Sequence, residues 1–421
     1  MRKLRALVET YYVWIVKSIA FWPTVLAVTG VVLGVLIRLP GNAPFVDAVG
    51  RVAPLLVISD KSVSLSLLTT LIGGLISLMV FSFSMVMVLL SNATSNLSPR
   101  LLPSLIGSRR HQFVLGTYIA AILFSIIVAM GFGDASTGPE PPGFAVGFAV
   151  LLGIVSLLLF VVFIHGVSQS IQVPVVLRRV HDETVEVIGG VLERQRRLGP
   201  RSRAAGAPLP DVGAWRVYRS PASGFFQGID DHAAARVAHD EDCRFATTAL
   251  RGRYVLEGEE IVRVGCADAR FAELTSKLDD LLEFSAAGMI ERYYGHGVDL
   301  VVEVAQKALS TGINDPSTAL QAVAYLTHLF VLASEVAEYE VVYDSDDEPR
   351  VYLRMEPWHE AVGRQFDNVL TYGKQDPELV AELERMVDRL EETIGADAEA
   401  PRRQVIDRMR GRLRAEAEAK P

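Results

Sequence analysis

Residues 65–90 read Leu-Ser-Leu-Leu-Thr-Thr-Leu-Ile-Gly-Gly-Leu-Ile-Ser-Leu-Met-Val-Phe-Ser-Phe-Ser-Met-Val-Met-Val-Leu-Leu, 26 positions without a charged side chain. About 20 such residues in a helix cross a hydrocarbon core of roughly 30 Å. A surface helix of a soluble domain would instead show a polar face. Three more stretches of this kind lie at 18–37, 113–133 and 144–164, so the sequence predicts four transmembrane helices. The first follows a basic, aromatic segment, but its apolar run is too long for a secretory signal and ends in Arg38-Leu-Pro-Gly without a small-residue cleavage pattern. A permanent helix is expected there.

Charge placement gives the expected orientation. Arg2, Lys3, Arg5 and Lys17 precede helix one, Arg100, Arg109 and Arg110 lie between helices two and three, and Arg178, Arg179, Arg194, Arg196 and Arg197 follow helix four. The loop between helices three and four holds Asp134 and Glu140 and no cation. Both termini are therefore expected in the cytosol. Arg38, Arg51 and Lys61, between helices one and two, run against the trend. Arginine-rich, alanine-rich composition suggests a bacterium, and hence its inner (plasma) membrane. Lys plus Arg outnumber Asp plus Glu 10 to 5 before Pro174 and are outnumbered 31 to 44 after it, a net +5 and −13. So acidic a second half excludes nucleic acid as an expected partner. Cys243 and Cys266 imply no disulfide framework.

Lipid supplies no hydrophobic force between helices, so small residues decide which faces meet. Gly30 and Gly34, Gly73 and Ser77, Gly116 and Ala120, and Ala145, Ala149 and Gly153 have that spacing in helices one to four. Helix two adds a hydroxyl stripe in which Thr70, Ser77, Ser84, Ser91 and Ser98 recur every seventh residue. A seven-residue repeat drifts only about 20° per heptad, so these groups share one face. That face either packs, each hydroxyl bonded to a carbonyl one turn back, or lines a pore or an oligomer axis. A short interfacial helix is expected at Leu101, Leu102, Leu105 and Ile106.

The expected organisation is a four-helix membrane domain at 1–173, a juxtamembrane helix and linker at 174–210, a small β-rich module at 211–267, a mainly helical module with one hairpin at 268–397 and a charged tail at 398–421, a solvated helix that frays. The fold class is a membrane α-helical bundle joined to a cytosolic α+β domain. Gly252, Val255, Gly258, Ile261 and Val264 recur every third residue, which resembles half of the hairpin of barrel-sandwich carriers; no lysine lies at 231–250 to take a cofactor. His232, His239, Asp240 and Cys243 match no metal-site spacing and read as a solvated acidic helix. Glu291, His296, Asp299 and Glu303 form a second polar group around Gly297.

Ala308-Leu-Ser-Thr-Gly-Ile-Asn-Asp-Pro-Ser-Thr-Ala319 ends one helix and starts another. Gly312 is expected to supply a left-handed residue past the first helix, Asp315 to cap the next, and Pro316 to take its first position. Gly312, Asn314, Asp315, Ser317 and Thr318 are the candidate ligand corner, because free amides at a helix start can hold an anion.

That corner, with Phe81-Ser-Phe-Ser-Met-Val-Met-Val-Leu-Leu and Asn96-Leu-Ser-Pro-Arg-Leu-Leu, resembles a family of predicted bacterial membrane proteins known as domain of unknown function 2254. The resemblance spans nearly the whole chain and implies a membrane protein without naming an activity. The usual family pattern is Ser-Pro-Gly-Ile-Asn-Asp-Pro, and Thr311 stands at the Pro. Family members tend to carry Arg-Thr and Gln-Asp pairs ahead of the Gly matching Gly297, where this chain has Gly288, Met289, Arg292 and Tyr293.

No Walker loop, dinucleotide turn, nucleophile elbow or His-Glu-x-x-His is present, so no enzyme, cofactor or catalytic residue is expected. The leading expectation is a homo-oligomeric channel or conduit whose helix-two seam lines or flanks an axis, regulated by the cytosolic domain. The alternative is a membrane-anchored sensor or scaffold that binds a small ligand, an ion or a partner at the Gly312 corner.

Overall fold

The computed structural model describes residues 20–38, 57–58, 60–96, 109–132, 143–170, 172–197, 211–285, 290 and 293–418. Two compact units divide it, 1–175 and 176–421.

The first unit contains α1 (Phe21–Arg38), α2 (Lys61–Asn96), α3 (Arg109–Met130) and α4 (Gly143–Ser170). These four helices cover the four expected spans. α3 is the hub: α1, α2 and α4 all pack on it, and α2 and α4 pack on each other. Small residues make the α1–α3 approach close. A Cβ on Gly30 would fall 2.5 Å from the Ala120 carbonyl oxygen, and one on Gly116 would fall 2.9 Å from the Pro23 Cα. Gly34 faces the Ile127 side chain, and Gly153 of α4 faces Leu71 of α2. Outside these contacts the unit shows apolar side chains to its surroundings, among them Val28, Val32, Val80, Phe81, Phe83, Leu158 and Val161. In the second unit the exposed large apolar side chains among the described residues are only Tyr254, Leu256 and Tyr372. Water penalises such a surface and lipid does not.

By length and composition, α2, α3 and α4 are each apolar enough to cross a membrane, with windows of mean hydropathy 2.3, 2.4 and 3.0, while α1 is a shorter apolar helix. A fourth long helix passes the same test at 1.2, Pro316–Ala333 in the second unit. Its apolar residues, including Ala319, Val323, Leu326, Leu329 and Phe330, are buried, and no large one is exposed. It is a core helix of the second unit.

The second unit starts with most of α5 (Val173–Arg197), which follows α4 after two residues. Then come β1 (Arg216–Arg219), β2 (Gly224–Ile229), α6 (Asp231–Asp240), β3 (Arg244–Thr247), β4 (Tyr254–Val255), β5 (Glu260–Gly265), α7 (Asp268–Asp279) and β6 (Leu282–Ser285). After them come α8 (Tyr294–Ala308), α9 (Pro316–Ala333), β7 (Tyr339–Tyr343), β8 (Pro349–Arg354), α10 (Trp358–Gly373), α11 (Pro377–Ile394) and α12 (Ala400–Glu418). One sheet has the order β1-β5-β3-β8-β7 and a smaller one the order β4-β2-β6. The chain changes sheet at each step from β1 to β7, and β2-α6-β3 and β5-α7-β6 make the change through a helix. Phe226, Phe245, Val255, Ile261, Val264, Leu274, Leu278 and Val351 form the core between them.

Four expectations change. The boundary at 267/268 separates no modules: β8 pairs in parallel with β3, and β6 pairs with β2, so both sheets contain strands from either side of it. Strand pairing over 100 residues leaves no local mark in sequence. A barrel-sandwich hairpin tip is replaced by α6, capped by Asp230, whose side chain accepts from the Ala233 amide at 2.9 Å. The charged tail is docked: Val405, Ile406, Met409 and Leu413 of α12 are buried, while Arg410 bridges Asp388 and Glu391 of α11. Spacing i, i+1, i+4, i+8 gives α12 an apolar stripe despite its many arginines. The helix-two span also runs longer than expected, over Lys61–Asn96. The linker at 199–210 and the interfacial segment at 101–106 lie outside the described residues.

Gly30→Leu should force α1 from α3 and lower stability by about 1–3 kcal/mol, the usual cost of overpacking. Thermal unfolding of the purified protein in detergent checks this, with Gly73→Leu as the control expected to leave the midpoint unchanged in dilute detergent.

Candidate functional site

Leu68, Leu75 and Ser82 of α2 are buried. Thr70, Ser77, Ser84 and Ser91 are exposed. Each of the first three exposed residues follows a buried one by two positions, about 200° round a helix. The hydroxyl seam therefore points away from the chain's own bundle. Gly73 and Gly74 agree, since a Cβ at either would meet nothing within 4 Å. Only 11% of the α2 apolar window is buried, against 44% for α3 and 28% for α4, which makes α2 the barest of the three. Ser77 Oγ donates to the Gly73 carbonyl at 2.9 Å, one turn back. A hydroxyl so held keeps acceptor capacity, so the face presents oxygens and bare glycine backbone. Ser98 lies outside the described residues.

At the α8–α9 corner Asp315 caps α9: its carboxylate accepts from the Thr318 amide at 3.2 Å and from the Thr318 hydroxyl at 2.6 Å, with Pro316 in the first turn. The left-handed residue is Asn314, φ +49°, and Gly312 does not take that role. Asparagine tolerates this conformation because its short polar side chain bonds locally. The amides of Ile313 and Asn314 donate to the Ser310 carbonyl and that of Asp315 to the Ala308 carbonyl, so the corner closes on itself. Asn314 and Ser317 are exposed, Thr318 is buried, and Gly312 has open space around it. Capping accounts for these donors, and little amide capacity is left for an anion.

The docking of α5 is the part that sequence reading misses. Its buried residues, Val176, Leu177, Val180, His181, Thr184, Ile188, Val191, Leu192 and Gln195, form one helical stripe. Thr184 lies against Gly297 of α8, where any side chain would collide with its hydroxyl. His181 lies 4.3 Å from the Tyr325 ring of α9, and its Nε2 is 2.8 Å from His328 Nδ1 while its Nδ1 is 2.9 Å from Asp182. Near the other end, Arg194 Nε donates to Glu340 Oε1 at 3.2 Å and Arg196 donates to Glu335. The Glu340 side chain is only 5% exposed and its second oxygen has no partner among the described residues, so Arg194 is its counter-charge. The polar run Glu193-Arg194-Gln195-Arg196-Arg197 hides this, because burial of Glu340 depends on the sheet.

Of the polar group around Gly297, Asp299 joins residues from α10 and the segment before it. Arg364 donates to Asp299 at 3.4 Å and to Glu356 at 2.9 Å, Tyr293 donates to Glu356 at 3.0 Å, and Gln365 donates to Asp299. Burial pushes the Asp299 carboxyl up, and Arg364 opposes that shift. Glu291 lies outside the described residues. His232, His239 and Asp240 lie on α6, while Cys243 is buried beyond it with its thiol pushed up to about 12, mainly by burial. Among the described residues no three His, Cys, Asp or Glu side chains gather as a metal site.

Residues 16–389 match the family model described as a predicted membrane protein, domain of unknown function 2254. The chain belongs to this family. It is similar to an uncharacterised protein of Mycobacterium tuberculosis and to one of Mycobacterium bovis, each 25% identical over 333 residues, 76% of this chain and 61% of the relative. The chain thus spans about 61% of the length of these relatives. No solved structure matches it. With the family in hand, the apolar surface of α1 to α4 is that of a predicted membrane protein, and Gly297 has a physical reason in the passage of α5 over α8.

Two outcomes follow. Asp315→Ala should cost about 1 kcal/mol, as for other helix caps, with Asp315→Asn close to neutral by chemical denaturation. Arg194→Ala should cost about 1–3 kcal/mol because it leaves a buried carboxylate uncompensated. Adding Glu340→Gln to it should recover most of the loss, which a double-mutant cycle measures.

Proposed function

We propose that this protein is a homo-oligomeric, non-enzymatic conduit in a bacterial inner membrane, both termini cytosolic, with the α2 seams of several copies turned to a common axis. The observation that carries this reading is the direction of the seam: Thr70, Ser77, Ser84 and Ser91 face away from every helix of their own bundle. Lipid gains nothing from hydroxyls and bare glycines, whereas another helix can approach them closely and water can bond to them. No Asp, Glu, Lys or Arg lies within the seam from Ser62 to Ser98, so the proposed path suits a hydrated solute better than a proton relay. The regulatory part of the proposal rests on α5, which begins two residues after α4 and is tied to the second unit by Thr184, His181 and Arg194. The sensor or scaffold alternative drew its support from the Gly312 corner, whose amides the chain itself uses.

Single cysteines at Ser77 and Ser84, in a Cys266→Ser background, test this reading in intact vesicles. Modification of both by small water-soluble thiol reagents is expected, as is cross-linking between copies at Gly73→Cys. Protection at Ser77 and Ser84 together with cross-linking would leave a packed oligomer and no water path. Protection without cross-linking would remove the oligomer as well.

A further inference from the structure

Between α6 and the β7–β8 hairpin lies a groove of about 690 Å³, lined by His232, Arg236, His239 and Asp240 on one side and by Tyr343, Asp344 and Ser345 on the other. Positions 232, 236 and 239 are spaced i, i+4, i+7, which sets three nitrogen-bearing side chains within about 60° of one helix face. Two of them are uncommitted: His232 and Arg236 are exposed, and neither has a side-chain hydrogen bond or ion pair among the described residues. The third is fixed. His239 Nδ1 is 2.9 Å from Asp344 Oδ2, and the side chain of Asp344 is 1% exposed and also accepts from Arg350 Nε at 2.8 Å and from the Asp346 and Glu348 amides at 3.0 Å each. With Nδ1 spoken for, Nε2 is the ring nitrogen of His239 left to face the groove. The bond to Asp344 raises the His239 pKa, which extends its cationic form upward in pH.

The carboxylates around these groups do not cancel them. Arg350 matches the charge of Asp344, and Asp240 and Asp346 are exposed, where water screens them. What remains is a guanidinium suited to a two-pronged phosphate contact, two imidazoles beside it and the hydroxyls of Tyr343 and Ser345 opposite. Space of this size holds a drug-sized molecule, more than a bare anion needs.

We infer that this groove binds a phosphorylated small molecule of about mononucleotide size, with Arg236 and His232 contacting the phosphate, His239 donating from Nε2, and Tyr343 and Ser345 bordering the organic part. The site stands whether or not α2 lines an axis.

Isothermal titration of the full chain in detergent at pH 6.5, with adenosine 5′-monophosphate, inorganic phosphate and uncharged adenosine as probes, tests it. The monophosphate should bind, phosphate should bind more weakly, and adenosine should give no heat. Arg236→Gln should weaken the monophosphate at least tenfold and His232→Gln less, both with an unchanged melting temperature because the two side chains are exposed. Binding should weaken between pH 6.5 and 8.5 in the parent and do so less steeply in His239→Gln, where His232 is the one imidazole left in the groove. Absence of binding by both phosphate probes at 10 mM overturns the inference. So does adenosine binding as well as its monophosphate, or full affinity in a folded Arg236→Gln.

Discussion

Ala120 and Gly30 meet so closely that a methyl group on the glycine would overlap the Ala120 carbonyl oxygen. Helices in hydrocarbon gain nothing from hiding leucine, so the first unit depends on such approaches for its cohesion. Gly30, Gly34 and Gly116 bring α1 onto α3, and Gly153 admits Leu71. Once these contacts are made, the apolar side chains of α1 to α4 are free to face lipid.

The same residue types on α2 have no such partner. Gly73, Gly74 and Ser77 repeat the small-residue logic of Gly30 and Gly34 yet stand open, while Leu68 and Leu75 on the opposite face do the packing. On the conduit proposal, a helix with one seam used inside the chain and a second one facing out makes its further contact with another copy or with water. The conduit proposal rests on this asymmetry.

The second unit follows the opposite rule. Apolar surface goes inside, as in the Phe226 and Phe245 core, and charge stays outside unless paired. Glu340 is a buried, paired case, held against α5 by Arg194 with its other oxygen unpartnered among the described residues. The β7–β8 hairpin serves twice, extending the sheet through β8 and presenting Asp344 to His239.

The sequence by itself determined what depends on composition and short spacing. Charge-free runs of about 20 residues mark spans, a seven-residue repeat marks the seam, and Asp315-Pro316 marks a helix start, because each acts within a few turns of chain. It also carried the β-rich character of 211–267 and the presence of one hairpin after it, whose alternation is local. Only the tertiary structure decided which way the seam faces, that Asn314 and not Gly312 turns the corner, that β8 joins β3 and β6 joins β2, that α12 packs, and that His232, Arg236 and His239 border one groove with Tyr343. These are relations between residues up to about 110 positions apart, set by how whole elements pack, and no short window of sequence contains both partners.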